Sequence, residues 1–310
     1  MTAALLAASA PAAAAEALFE SEAVAGSNVF TRHIEGPSTD AEGNVYVCNF
    51  RTDGTVGRLR PGKSDPELFL SLPRGSIPNG SRFDKNGRMF LADFKGHAIF
   101  VLARGAPSAT VYFHSAQFHQ PNDLAISSDG ALFASDPDFT RRTGRIWRIA
   151  KRADGRVSGV IMASDRTMGV ANGLDLSPDE KTLYVSESDT REVWSYAIEG
   201  DKLASSRLIH RFEGPAVEEL DGLRTDASGR IFVARPGAGT IAVLGQDGSL
   251  VREVKVLGPN PSNLTFGGLD GMTVYVTNAS TRGVEFFHAD GPGREFCWRG
   301  GPSCPPGNRP

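Results

Sequence analysis

Six copies of one short pattern run through this chain, each a hydrophobic segment that ends in a small residue followed by a polar one. The copies read VYVCN, MFLAD, LFASD, LYVSE, IFVAR and VYVTN. Their small residues are Cys48, Ala92, Ser135, Ser186, Ala234 and Thr277, at steps of 44, 43, 51, 48 and 43 residues. A repeat of this length, rich in β-branched and aromatic residues, is typical of four-stranded propeller blades. The sequence therefore predicts an all-β fold, a six-bladed β-propeller with four-stranded antiparallel blades.

The repeat predicts one domain over residues 17–292, preceded by an Ala-rich segment, 1–16, and followed by a Pro/Gly-rich tail, 293–310. A net charge of −3 with both signs mixed throughout offers no basic stripe, so we expect no nucleic-acid partner. No apolar stretch has the length and composition of a membrane span. For the oligomeric state we expect a monomer or a weak oligomer.

The N-terminal segment MTAALLAASAPAAAAE ends in an Ala-x-Ala pattern before Glu16. This pattern resembles the hydrophobic and cleavage regions of a secretory signal, although the basic start of such a signal is missing. It predicts a periplasmic or secreted protein. An Ala-rich helix or a disordered tail on a cytoplasmic protein is the alternative. In an oxidising compartment Cys297 and Cys304 would form a disulfide, while Cys48 would stay a buried thiol.

Ring closure in a propeller requires a strand from one terminus in the last blade, because an open edge would expose unpaired backbone groups. Two segments could supply that strand, Ala17–Val24 and Arg294–Trp298. We favour the N-terminal one. Because successive strands are antiparallel, the starts of the first strands share one face of the disc, and the hairpin turns lie on the other.

One oxygen-bearing residue stands just before each predicted first strand, and the six recur at steps of 44, 43, 50, 49 and 42 residues. Because they occupy equivalent places in successive blades, the six residues would form a ring at one mouth of the central channel. A ring of carboxylate and amide oxygens suits Ca²⁺. The alternative is that Asn-Gly and Asp-Gly are ordinary turn dipeptides. The six residues are Glu35, Asn79, Asn122, Asn172, Asp221 and Asn263.

The segments EGPSTDAEGNVYV, QPNDLAISSDGALFASDP, ANGLDLSPDEKTLYVSES, ELDGLRTDASGRIFVA and SNLTFGGLDGMTVYVT together resemble a known family. It is the senescence marker protein/gluconolactonase/regucalcin group, which includes metal-dependent lactonases and phosphotriesterases. The resemblance covers about residues 17–290. It implies that Glu35, Asn172 and Asp221 hold one divalent metal ion, with Asn122 as the fourth ligand or as a substrate contact. The metal would be Ca²⁺, with Mg²⁺, Mn²⁺ or Zn²⁺ as alternatives.

Lactone hydrolysis needs an activated water and a stabilised oxyanion, and a metal at the channel mouth can supply both. The resemblance favours Asp221 as the general base, and water activated by the metal alone is the rival. The expected substrate contacts are Asn122, Arg235, Asn79, Asn263 and His119. No G-x-S-x-G nucleophile motif occurs, so the chemistry is expected to be metal-assisted.

The sequence thus predicts a lactonase that opens a sugar-derived or related small lactone. A phosphotriesterase-type hydrolase at the same site is a second hypothesis. A non-catalytic propeller that binds a ligand or Ca²⁺ is a third. Two carboxylates buried at a channel mouth argue against that third hypothesis, because a scaffold gains nothing from their desolvation.

Overall fold

Six antiparallel sheets form a closed ring in the computed structural model, which describes residues 17–215, 217–301 and 304. The predicted six-bladed propeller with four-stranded blades is confirmed, and the predicted segment 1–16 lies outside the described residues. Blade 1 consists of β2 (Phe30–Thr39), β3 (Val45–Phe50), β4 (Thr55–Leu59) and β5 (Glu67–Ser71). Blade 2 consists of β6 (Pro78–Phe83), β7 (Met89–Asp93), β8 (Ala98–Leu102) and β9 (Thr110–His114). Blade 3 consists of β10 (Leu124–Ile126), β11 (Leu132–Ser135), β12 (Ile146–Lys151) and β13 (Val157–Ile161).

Blade 4 carries one additional short strand, β14, which pairs in parallel with its outer strand β18. Blade 4 consists of β14 (Ala163–Ser164), β15 (Ala171–Leu176), β16 (Thr182–Glu187), β17 (Glu192–Glu199) and β18 (Lys202–Arg211). Blade 5 consists of β19 (Leu223–Thr225), β20 (Ile231–Arg235), β21 (Thr240–Leu244) and β22 (Leu250–Lys255). Blade 6 consists of β23 (Pro261–Gly267), β24 (Thr273–Asn278), β25 (Gly283–His288) and β1 (Glu22–Ala25).

The N-terminal strand closes the ring, as predicted. β1 pairs antiparallel with β25, so that Glu22 lies opposite Phe286 and Ala25 opposite Val284. The other candidate for closure forms no strand, because Arg294–Trp298 is the short helix α1. No helix among the described residues has the length and apolar composition needed to cross a bilayer.

The hydrophobic core consists of six layers, each between two neighbouring blades. Tyr46 and Val56 of blade 1 pack with Met89 and Leu91 of blade 2, for example, and the last layer joins blade 6 back to blade 1. The six repeated small residues occupy equivalent second-strand positions, and all are fully buried. The sequence repeat thus arises because each second strand is covered on both faces by its neighbours.

The helix α1 covers the mouth of the channel on the hairpin-turn face. Gly293, just before it, bridges to Asp226 beyond the end of β19. Arg299, just after it, donates through Nη1 to the carbonyl of Thr39 at the end of β2, 2.6 Å away. Cys297 and Cys304 form a disulfide, and Cys48 is a free, buried thiol.

We predict that β1 is required for a closed and soluble propeller. A variant that begins at Gly26 leaves the β25 edge unpaired and removes the buried Ala25 from the layer between blades 6 and 1. Its expected loss of about 2–3 kcal/mol corresponds to a melting temperature lower by roughly 5 °C, accompanied by self-association. Thermal unfolding and light scattering measure both effects. A variant that begins at Ala17 is the control, and equal stability of the two would contradict the prediction.

Candidate functional site

Each innermost strand carries a β-bulge at the channel mouth, where two residues lie opposite the small residue of the second strand. In blade 3, the Asn122 amide donates to the Ser135 carbonyl, and the Ser135 amide donates to the Asp123 carbonyl. The same doubling follows from the register shifts and hydrogen bonds of the other blades. Bulges re-aim side chains, and here they occur once in every blade at the same end.

The first residues of the six bulges all line one cavity of about 400 Å³. The predicted ring is therefore correct at five positions. In blade 6 the equivalent residue is Ser262, because Pro261 pairs with Asn278 and Asn263 is the second residue of the bulge. The six first-position residues, which we call the mouth ring, are Glu35, Asn79, Asn122, Asn172, Asp221 and Ser262.

Asn263 lies deeper in the channel than predicted. It is fully buried and does not line the cavity. Its Nδ2 donates to Glu35 Oε2 over 2.9 Å, and its Oδ1 accepts from Arg224 over 3.1 Å. It therefore contacts a ring residue from below and lies outside the cavity lining, where the predicted substrate contact would have placed it.

The two carboxylates of the mouth ring are buried at a cost that a cation would relieve. Burial, together with the negative charges of Glu35 and Asp123, raises the pKa of Asp221 well above its usual range. Burial also raises the pKa of Glu35, although hydrogen bonds from the Gly36 amide and Asn263 oppose this shift. Positive charge placed between the two groups would favour their ionised forms.

The side-chain amide oxygens of the mouth ring differ in whether they accept a hydrogen bond. Asn122 Oδ1 accepts a hydrogen bond from Asn79 Nδ2 over 2.8 Å. Asn172 Nδ2 donates to Ser188 Oγ over 3.0 Å, whereas Asn172 Oδ1 is buried and has no hydrogen-bond partner within residues 17–215, 217–301 and 304. A buried acceptor without a donor is costly, and a hard cation would satisfy it.

These residues fit a divalent cation with oxygen ligands. Glu35 and Asp221 supply two charges, and Asn172 supplies an orphaned oxygen beside Asp221. Within the described part of the chain, no three His, Cys, Asp or Glu side chains converge as a metal cluster. A metal at this mouth would therefore need amide oxygens among its ligands, which is the donor set of Ca²⁺ rather than of Zn²⁺.

The upper wall of the cavity is apolar, which the sequence analysis missed. Phe94 follows β7 and Phe139 lies in the loop after β11, with their ring centroids 6.2 Å apart. Ile77 and Leu220 also line the wall. These residues lie on loops after the second strands or just before the first ones, and this position could have indicated the wall from the sequence. The rim also includes His33, whose Nδ1 lies 2.9 Å from Asp53 Oδ2.

Arg235, predicted as a substrate contact, does not line the cavity. Its Nη2 donates to Glu218 Oε2 over 2.9 Å, and its Nη1 contacts Glu253. The guanidinium also lies over the Phe212 ring, 4.3 Å from its centroid. Arg235 is 7% exposed and joins the second and outer strands of blade 5 to the preceding loop.

His119 also lies outside the cavity lining. Its backbone amide donates to Asp136 Oδ1 over 2.8 Å, and its ring Nδ1 lies 3.9 Å from Asp138 Oδ2. These contacts hold the approach segment of blade 3 against the blade. The predicted substrate contact through His119 is not supported by this position.

A larger cavity, of about 560 Å³, opens between blades 1 and 2 on the hairpin-turn face. Its acidic residues are occupied locally: Asp40 accepts from Asn44 and Tyr46, and Asp84 accepts from Arg88. The smaller cavity at the mouth ring is the better candidate site because two buried carboxylates and an amide oxygen without a donor converge there among the described residues.

The chain is similar to several known proteins. The SMP-30/gluconolactonase/LRE-like region model matches residues 58–280. A gluconolactonase of Zymomonas mobilis is 28% identical over 277 residues, covering 78% of this chain and 75% of that protein. Diisopropyl-fluorophosphatase of Loligo vulgaris is 26% identical over 290 residues, covering 85% and 91%. The structure of a calcium-binding protein, regucalcin, from Agrobacterium tumefaciens superposes with a TM-score of 0.70 at 19% identity, covering 86% and 95%.

Removal of the Asp221 charge should stabilise the metal-free protein. In Asp221→Asn the repulsion from Glu35 and Asp123 disappears, and the side chain keeps its size. We expect the melting temperature in chelator to rise by about 2 °C. Thermal unfolding in the presence of EDTA measures this rise. Glu199→Gln, at the exposed end of β17 and outside the cavity lining, should change little; a lower melting temperature for Asp221→Asn would contradict the prediction.

Neutralising Arg235 should affect stability and spare substrate binding. Arg235→Met leaves Glu218 and Glu253 without their common partner, so the melting temperature should fall by about 2–4 °C. The Michaelis constant should stay within about twofold of the wild-type value, since Arg235 does not reach the cavity. An increased Michaelis constant with unchanged stability would restore the substrate-binding role.

Proposed function

Because the chain belongs to the SMP-30/gluconolactonase/LRE-like family, with the matched region spanning residues 58–280, we propose that it is a metal-dependent lactonase. The observation that carries this proposal is the convergence of two desolvated carboxylates and an orphaned amide oxygen in one cavity. The proposed substrate is a sugar-derived or related small lactone. A cavity of about 400 Å³ accommodates a compact ring of this kind.

The proposed ligands of the metal are Glu35, Asn122, Asn172 and Asp221, and the proposed metal is Ca²⁺. A bound divalent cation would polarise the lactone carbonyl and lower the pKa of a water molecule at the site. Glu35 is held for this role by two donors on Oε2, the Gly36 amide and Asn263, each 2.9 Å away. Asn172 is held by Ser188, so that its oxygen is directed away from that hydroxyl.

Asp221 is the proposed general base. Glu35 is tied by its two donors, whereas Asp221 stands at the cavity among carboxylates that increase its proton affinity. A carboxylate in that position can accept the proton of the attacking water and return it to the leaving alkoxide of the opened ring. The tetrahedral intermediate would form beneath the apolar wall of Phe94 and Phe139, which limits access of bulk water.

Asn122 is proposed to contact both the metal and the substrate. The hydrogen bond from Asn79 fixes its amide and occupies one lone pair of Oδ1, leaving the other available. Asn79 itself lines the cavity and is the second proposed substrate contact.

A phosphotriesterase-type activity is the second candidate. The apolar pair Phe94 and Phe139 at the wall would suit the alkyl groups of a phosphotriester, and one relative is a diisopropyl-fluorophosphatase. The same carboxylate and amide set would serve both reactions, since each needs a polarised oxygen and an activated water.

We also propose that the protein is exported to the periplasm or the medium. The disulfide between Cys297 and Cys304 supports this location, because such bonds persist in oxidising compartments. Fractionation of cells that express the full chain tests the proposal, and retention of the whole pool in the cytoplasm would overturn it.

Metal dependence and the ligand set can be tested on chelator-treated protein. Calcium binding is measured by calorimetry, and hydrolysis is measured over panels of lactones and phosphotriesters with Ca²⁺, Mg²⁺, Mn²⁺ or Zn²⁺ added back. Glu35→Gln should weaken metal binding by at least about 100-fold, since a charged ligand is lost. Glu199→Gln, at the exposed end of β17 and outside the cavity lining, should keep the wild-type metal affinity.

Two further variants separate metal binding from catalysis. Asp221→Asn should lower kcat by about 10²–10⁴-fold even at saturating metal, because the proton acceptor is removed. Asn122→Ala should raise the Michaelis constant at least as much as it weakens metal binding. Full activity after chelation, or an Asp221→Asn variant as fast as the wild type, would leave a binding propeller as the remaining hypothesis.

A further inference from the structure

The helix α1 (Arg294–Trp298) sends a carboxylate into the channel from the mouth opposite to the mouth ring. Glu295 is 14% exposed and lies 3.2 Å from Arg82 Nε, in an ion pair without hydrogen-bond alignment. Arg82 belongs to β6 and has no exposed surface. Arg294 Nη2 lies 3.9 Å from the same carboxylate oxygen. The helix is thus bound to the propeller by charges in the channel.

Beneath the mouth ring, Asp123 is held by two guanidinium groups. Arg82 Nη2 lies 3.1 Å from Asp123 Oδ1. Arg224 binds the same carboxylate with both nitrogens, at 2.8 and 3.0 Å. Two cations on one carboxylate leave a positive excess in this layer, and Glu295 supplies the negative charge that balances it from below.

Asn263 connects this charged layer to the mouth ring. Its Oδ1 accepts from Arg224, which fixes the orientation of the amide, so its Nδ2 is directed at carboxylates. Nδ2 lies 2.9 Å from Glu35 Oε2 and 3.5 Å from Asp123 Oδ2. The position of the Glu35 carboxylate therefore depends on the arrangement of the arginines below it.

We infer that Glu295 is a positioning residue for Glu35, so that the C-terminal helix is part of the site although it closes the other mouth of the channel. The connection runs through Arg82, Asp123 and Asn263. The inference rests on the proposed metal site at Glu35.

The direction of the effect follows from the sharing of Arg82. Arg82 already acts on Glu35 through its charge, and Glu295 competes for that charge from below. When Glu295 is made neutral, the positive excess of the layer acts on Asp123 and Glu35 without opposition. Glu35 is then drawn inward, and the added positive potential opposes a cation at the mouth, so the cation binds less tightly.

A double-mutant cycle on calcium affinity tests the connection, since Glu295 and Asn263 have no direct contact with each other among the described residues. Calcium dissociation constants are measured by calorimetry on chelator-treated wild type, Glu295→Gln, Asn263→Ala and the double variant. Glu295→Gln should weaken binding by about fivefold and Asn263→Ala by about 10-fold or more. If the two effects were independent, the double variant would lose affinity by their product. We expect a loss at least about threefold smaller than that product, because both changes interrupt the same chain of contacts.

Glu180→Gln is the matched control. Glu180 holds the same helix through Arg294, with Nη1 and Oε1 3.4 Å apart, but it does not contact Arg82 or Asp123. This variant should lose a similar amount of thermal stability to Glu295→Gln while keeping the wild-type calcium affinity, and its effect should multiply with that of Asn263→Ala. Should Glu295→Gln not fold, Glu295→Asp takes its place, with an expected loss of about threefold because the shorter side chain moves the charge away from Arg82.

The outcomes separate this inference from the proposed function. A wild-type protein that binds no divalent cation would overturn the metal site, and the positioning role with it. Calcium binding by the wild type with equal affinity in Glu295→Gln, or a fully multiplicative cycle, would overturn only the positioning role. Equal loss of affinity in Glu180→Gln would show that any loosening of the helix has this effect, which also overturns it.

Discussion

The close approach of the six innermost strands at one mouth of the channel is the constraint on which the rest of this structure depends. At three blade boundaries a glycine amide in the second position of one bulge donates to the first-position carbonyl of the next: Gly80 to Asn122, Gly173 to Asp221 and Gly222 to Ser262. A Cβ at Gly80 would lie only 2.7 Å from the Cα of Asp123, and one at Gly173 would overlap the backbone of Leu223. Glycine thus allows the blades to meet and brings the first-position side chains together around one cavity.

Two blades have a residue other than glycine at the second position of the bulge, and these two residues belong to the charged layer beneath the site. Blades 3 and 6 carry Asp123 and Asn263 at the second position, so these side chains enter the channel where the others leave space. A buried carboxylate there requires cations, which Arg82 and Arg224 supply. The arginines in turn require balancing charge, and Glu295 supplies it from the end of the chain. The carboxylate of Asp123 is therefore connected through Arg82 to the C-terminal helix.

The blades and most of the mouth ring could be predicted from the sequence because both depend on local, repeated spacing. The same spacing failed at Asn263, since β23 and β24 form four residue pairs between their turn and the bulge whereas β6 and β7 form three, and only strand register shows that Ser262 is equivalent. Arg235 was misplaced because its partners, Glu218 and Glu253, come from other segments of blade 5. The apolar wall was missed because a lone phenylalanine in a loop, such as Phe139, carries no periodic signal.

The site combines groups that the fold alone does not favour. Glu35 and Asp221 are desolvated side by side, and Asn172 Oδ1 has no donor within the described residues, so the metal-free propeller carries a local energetic cost at this mouth. Such a cost is tolerated when the surrounding structure is stable enough to hold the strained groups in place. Here the blade cores and the interblade hydrogen bonds provide that stability. The same cost would become binding energy for a cation, because the cation would satisfy all three groups at once. The rigid ring and its charged support thus explain how a site that destabilises the empty fold can be maintained.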